Sequence, residues 1–98
     1  MKYQKDIKEW TLEFAISIVK LSALLKKEKI DFDIVDQVRR SGTSVGANVR
    51  EGKSSVSRKE LVKYYAVALK SANETDFWVE VITKGYDYKS EALNNCWE

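Results

Sequence analysis

The 98-residue chain has no proline, no histidine, a single cysteine and four glycines. Without proline, no position forces a helix to end through a missing N–H or a ring clash. Without histidine, a Cys/His nucleophilic pair is excluded within one chain, and the usual zinc sets of several Cys and His residues go with it. Cys96 has no second cysteine to pair with, which agrees with a reducing compartment; it is read as a small buried or interfacial thiol. Long apolar runs are also missing, and charges interrupt every helical pattern, so neither a membrane span nor a targeting segment is expected. A cytoplasmic protein with no metal, no cofactor and no membrane partner is the expectation these absences support.

What is present is 44% hydrophobic and 33% charged, a balance that suits an all-helical protein better than a sheet protein or a disordered chain. The length fits one domain, residues 1–98. A domain this small buries a modest share of its surface, so association between copies would add stability. The net charge of +2 conceals an asymmetry. From Arg50 to Asn73, six cations (Arg50, Lys53, Arg58, Lys59, Lys63, Lys70) face only Glu51 and Glu60, whereas from Glu74 onward acids outnumber Lys84 and Lys89. A basic middle and an acidic end suit an anionic partner or head-to-tail contact between subunits.

The segment Arg39 to Gly52 is the most informative. Its glycines, serines, threonine and asparagine are poor helix formers, each glycine costing roughly 1 kcal/mol relative to alanine. Yet Val38, Gly42, Val45 and Val49 recur at spacings of four, three and four, a rhythm that only a helix explains. Such a helix must be held by tertiary contact, with Gly42 and Gly46 admitting a neighbouring backbone. Projected at about 100° per residue, Arg40, Ser44, Asn48 and Glu51 fall on one border of the valine stripe, and Arg39, Thr43 and Arg50 on the other. Charged groups at such a border need partners, so Arg40, Asn48 and Glu51 are expected to join a semi-buried network with a facing helix; a solvated face is the plainer alternative. A phosphate-cradling loop is a poor fit, because no Gly-Lys-Ser/Thr triplet follows and no strand pattern precedes it.

Around this segment the pattern predicts further helices. The first runs from about Asp6 to Lys29 on Ile7, Trp10, Phe14, Ile18, Leu21 and Leu25, with lysines in its last turn complementing the helix dipole. Asp33 is the expected N-cap of the second, which runs from Ile34 to about Glu51 with Gly52 as its left-handed stop. Ser57-Arg58-Lys59-Glu60 is a capping box opening a third helix on Leu61, Tyr65, Ala68, Ala72, Thr75, Val79 and Ile82, which ends at Gly85. A second flank, from Tyr64 to Val81 through Ser71, Glu74 and Trp78, widens the apolar arc beyond one-sided packing. On it, Ser71 and Glu74 are placed to meet Arg40 or Asn48 and to fix register. Asp87 or Ser90 would cap a short final segment bearing Ala92, Leu93, Cys96 and Trp97. The fold expected is an antiparallel up-down bundle of three long helices and a short or truncated fourth.

Arg40-Ser41-Gly42-Thr43-Ser44-Val45-Gly46-Ala47-Asn48-Val49 with Glu51-Gly52, and Ala68-Leu69-Lys70-Ser71-Ala72-Asn73-Glu74-Thr75 with Phe77-Trp78, resemble the two signatures of a bacterial four-helix-bundle family, that of the 23S rRNA intervening-sequence proteins and the accessory variability determinant of diversity-generating retroelements. The likeness extends over nearly the whole chain. It implies a homopentameric ring of bundles with a basic outer surface, a role in binding nucleic acid, and no enzyme. By position it carries over Arg40, Asn48, Glu51, Ser71 and Glu74 as architectural motif residues. The family pattern has a longer fourth helix than the residues up to Glu98 supply.

Three functions are then in view. The first is a non-enzymatic oligomer that binds RNA or DNA through phosphate contacts from Lys53, Arg58, Lys59, Lys63 and Lys70, supported by Arg39 and Arg50, since repeating a modest basic patch multiplies its attraction for a polyanion. With no base-reading motif, recognition would follow charge and shape. The second is a protein-interaction scaffold, suggested by surplus apolar surface on the third helix and near Trp97. The third, an enzyme using Glu51 and Glu74 as paired carboxylates, lacks a metal set, a cofactor loop and a nucleophile with its base, so no catalytic residue is assigned.

Overall fold

The computed structural model describes residues 6–86. Among these, three helices follow one another: α1 from Ile7 to Lys27, α2 from Phe32 to Lys53 and α3 from Arg58 to Gly85. Ile18 and Thr11 of α1 lie against Gly42 and Gly46 of α2 in that order, so the two run antiparallel. Thr75 and Ser71 of α3 meet Ser41 and Ser44, so α3 reverses again. α2 is therefore the middle element, packed on both neighbours, and α1 and α3 point the same way. The expected short final segment, with its caps at Asp87 or Ser90, lies outside the described residues.

The aliphatic core occupies the end of the bundle where α1 finishes and α2 begins. Ile18, Leu21 and Leu25 of α1, Ile30 of the turn, Val35 and Val38 of α2, and Val79 and Ile82 of α3 form one buried cluster, flanked by Phe14, Ile34 and Trp78. The Trp78 indole N–H is buried in this flank with no acceptor among the described residues.

The helix ends depart from expectation in three places. α1 stops at Lys27 rather than Lys29, because Lys29 takes a left-handed conformation at φ 65°. The Ile30 N–H then donates to the Leu25 carbonyl and the Lys29 N–H to that of Lys26, the paired bonds of a Schellman stop. Ile30 and Leu25 are both buried beside it, which supplies its hydrophobic clasp. No glycine marks the position, so composition conceals it.

Asp33 is not the N-cap of α2. The helix starts earlier, with Asp31 at the cap position and its carbonyl accepting from the Ile34 and Val35 N–H groups; burial of Ile30 draws the chain into the helix two residues sooner. Asp33 lies in the first turn, where its charge complements the dipole. Gly52 is likewise no stop. It is buried within α2 and has no positive φ, and a Cβ there would stand 2.6 Å from the Tyr65 ring. Glycine is needed at 52 for the close approach of α3.

The capping box holds with one change. Ser57 Oγ accepts from the Glu60 N–H at 3.1 Å, while the Glu60 carboxylate reaches back to the Val56 N–H at 3.4 Å, one residue beyond the cap.

Candidate nucleic-acid interface

The central part of α2 carries two sets of small residues at helical spacing, each serving a different neighbour. Toward α1, Gly42 leaves room for Ile18, whose Cγ1 would lie 2.6 Å from an added Cβ. At Gly46 an added Cβ would stand 3.0 Å from the Thr11 carbonyl oxygen, so the two helix backbones nearly touch. Toward α3 the contacts are hydroxyls. Thr75 Oγ1 and Ser41 Oγ are 3.0 Å apart, and each also lies within reach of a carbonyl of its own helix, at Ser71 and Gln37. One turn further on, the Ser71 hydroxyl donates to Ser44 Oγ at 3.0 Å, and Ser44 Oγ also accepts from Asn48 Nδ2 at 3.0 Å.

This ladder is what the structure makes of the expected Arg40, Asn48, Glu51, Ser71 and Glu74 network. Ser71 and Asn48 are in it, joined through Ser44. Arg40 is not: its guanidinium lies 3.7 Å from Asp36 on its own helix, and Glu51 and Glu74 are exposed. The reason is space. A crossing tight enough to need glycine admits a hydroxyl but not a guanidinium and a carboxylate with their hydration. Of the two residues that complete the ladder, Thr75 is legible in the sequence only as a seam position of the third helix and Ser41 only as part of the glycine-rich signature.

The cations fall into three groups. On α3, Lys59, Lys63 and Lys70 are exposed and, at spacings of four and seven, share one side of the helix. At the α2–α3 turn, Lys53 and Arg58 border a recess of about 400 Å³ with Leu61 and Tyr65 on its wall. On the other side of α2, Arg50 joins Lys8 around a groove of about 280 Å³ floored by Ala15, Gly46 and Ala47. Lys53 is partly neutralised, with Nζ 3.1 Å from Asp6 Oδ1. The Asp6 carboxyl titrates below its ordinary value, first because it accepts the Lys8 N–H as the N-cap of α1, then because of Lys53. Arg39 stands apart, paired with Asp36 and about 16 Å along α2 from Arg50 at 1.5 Å per residue.

A helical bundle whose central helix meets both neighbours through Gly, Ser and Thr, bordered by exposed lysines, defines the class. The chain belongs to the 23S rRNA-intervening sequence protein family, whose model matches residues 4–96. Among solved structures, the crystal structure of a protein of unknown function from the S23 ribosomal protein family of Bacteroides thetaiotaomicron VPI-5482 is similar, at 37% identity and a TM-score of 0.86, over 94% of this chain and 85% of that one. No curated protein matches. Among the described residues no helix is long and apolar enough to cross a membrane.

Proposed function

We propose that the protein is a non-enzymatic homo-oligomer, a pentamer by family likeness, that binds RNA or DNA through its phosphates. The observation that carries this reading is the row of Lys59, Lys63 and Lys70 along the exposed side of α3. Arg50 and Arg58 extend it at neighbouring elements, and a ring of copies multiplies it. Nothing in the row reads a base edge, so binding follows charge and shape. The family bears the name of an intervening sequence of 23S rRNA, which makes an RNA the first polyanion to test.

Fluorescence anisotropy with a labelled RNA duplex at low and moderate salt tests it. Affinity should fall steeply with salt, and Lys63→Gln with Lys70→Gln should lower the logarithmic slope by about one unit for each phosphate left without its cation. Binding that is flat in salt, or absent for both RNA and DNA, rejects it. A second reading, a protein scaffold, is favoured by the exposure of Phe32 and Val56 at the two turns; it predicts a stoichiometric protein partner that survives nuclease treatment.

A further inference from the structure

α1 carries a second apolar stripe, turned away from the aliphatic core. Leu12, Ile16 and Val19, at spacings of four and three, are 46, 46 and 52% exposed, and Ala23 continues the line. α3 carries its own. Val62 and Leu69 are 60 and 64% exposed, with Ala66 and Asn73 between and beyond them in the same alternation of four and three. Both follow heptad spacing and remain largely open among the described residues, Leu12 alone bordering the α2 groove with Gly46, Ala47 and Arg50, and the two lines match in spacing. A constant offset of 50 residues sets Leu12 on Val62, Ile16 on Ala66, Val19 on Leu69 and Ala23 on Asn73. The same offset sets Glu9 on Lys59 before the seam and Lys26 on Asp76 after it, opposite charges at both ends.

We propose that the α1 seam of one copy docks on the α3 seam of a second copy in parallel register, 12 against 62 and 19 against 69. The inference rests on the oligomeric reading above and names its interface. Within one protomer α2 lies between α1 and α3 and these run in the same direction, so the two seams form the head and tail of a repeating contact. Copies related by rotation about an axis along the helices bring them together without reversing either. Such a heterologous contact closes into a ring when the rotation between successive copies divides a full turn, and otherwise runs on as a filament. Pairing copies through two α1 seams would instead place Lys26 and Glu9 in a two-fold arrangement and leave Asp76 unmatched. Lys26 Nζ lies over the Phe32 ring at 5.6 Å, with its ammonium near the end of the seam and open to a carboxylate. Lys59 turns to Glu9 in this contact, leaving Lys63, Lys70 and Arg50 for the polyanion.

The test uses the full chain with Cys96→Ser. Proteins bearing Val19→Cys or Leu69→Cys are expressed separately and, with distinct tags, together, and are then oxidised mildly. A disulfide is expected only in the coexpressed sample, joining the two tags. Val19→Cys forming dimers by itself overturns the proposal, and so does an oligomer that yields no cross-link. Leu69→Asp, a change on a surface exposed in the protomer, should keep the helical circular dichroism and weaken self-association about ten-fold or more in light scattering. Lys26→Asp and Asp76→Lys should each weaken it and the double variant restore it. A wild type that is monomeric at every concentration defeats the oligomeric reading itself; an oligomer indifferent to these changes defeats this interface alone.

Discussion

Val35 and Val38, near the start of α2, sit in an aliphatic cluster with residues from both neighbouring helices, whereas from Ser41 to Gly52 the same helix meets those neighbours mainly through glycines and hydroxyls, with Val49 the one buried valine among them. The first arrangement is held by apolar area removed from water, which is tolerant of direction. The second is held by closeness: at Gly42, Gly46 and Gly52 an added Cβ would come within 2.6 to 3.0 Å of α1 or α3. The aliphatic end supplies the larger share of stability. The small-residue stretch supplies register, since a slide of one helical turn would part Ser41 from Thr75 and Ser44 from Ser71 and bring a side chain against Ile18.

The largest effect should come from the aliphatic end. Leu25→Ala removes a fully buried side chain and should cost about 3 kcal/mol in urea unfolding. Gly42→Ala comes next: it drives a methyl into the buried Ile18 side chain and should cost about 1 to 2 kcal/mol even after alanine's better helix propensity. The same change at Gly85, where nothing lies within 4 Å, should raise the denaturation midpoint; a common sign at both positions would dissolve the contrast. Thr75→Val keeps the shape and deletes the cross-helix hydroxyl bond, for about 1 kcal/mol. Smallest is the effect of acid on Asp6. Its carboxyl is held below the ordinary value by the Lys8 N–H and by Lys53, so its contribution is present above that ordinary value and fades as pH falls through the lowered one. The midpoint difference between wild type and Asp6→Asn should therefore shrink on acidification, and a difference that grows would contradict the cap.

Much of this structure is open to reading in the chain, for physical reasons that differ by element. The three helices follow from apolar periodicity, and Ser57 from capping chemistry. Val38, Gly42 and Val49 are expected on a buried seam and are buried there. Two glycine readings come apart: Gly52 looks like a stop because glycine permits a left-handed turn, but here it permits contact with the Tyr65 ring, and only the tertiary structure separates these uses. The end of α1 is hidden because the left-handed position holds a lysine. At the candidate site, the helical projection expects Arg40 and Glu74 to meet across the helices, whereas both are exposed and Arg40 lies beside Asp36 of its own helix; which border groups pair depends on helix separation, which sequence spacing does not encode. The grouping of Lys59, Lys63 and Lys70 is recoverable from their spacing. So is the separateness of Arg39, through the acid three residues before it, a signal that the count of cations alone passes over.

The central position of α2 has one more consequence. Excised as a peptide, Phe32 to Lys53 would be mostly coil, since its glycines and β-branched residues favour helix poorly. Inside the bundle both of its long sides are covered, so opening its amides to solvent requires parting α1 and α3 from it together. Native-state hydrogen exchange should therefore find the slowest amides of the molecule around Val38 to Val45, on the element with the least helical tendency of its own.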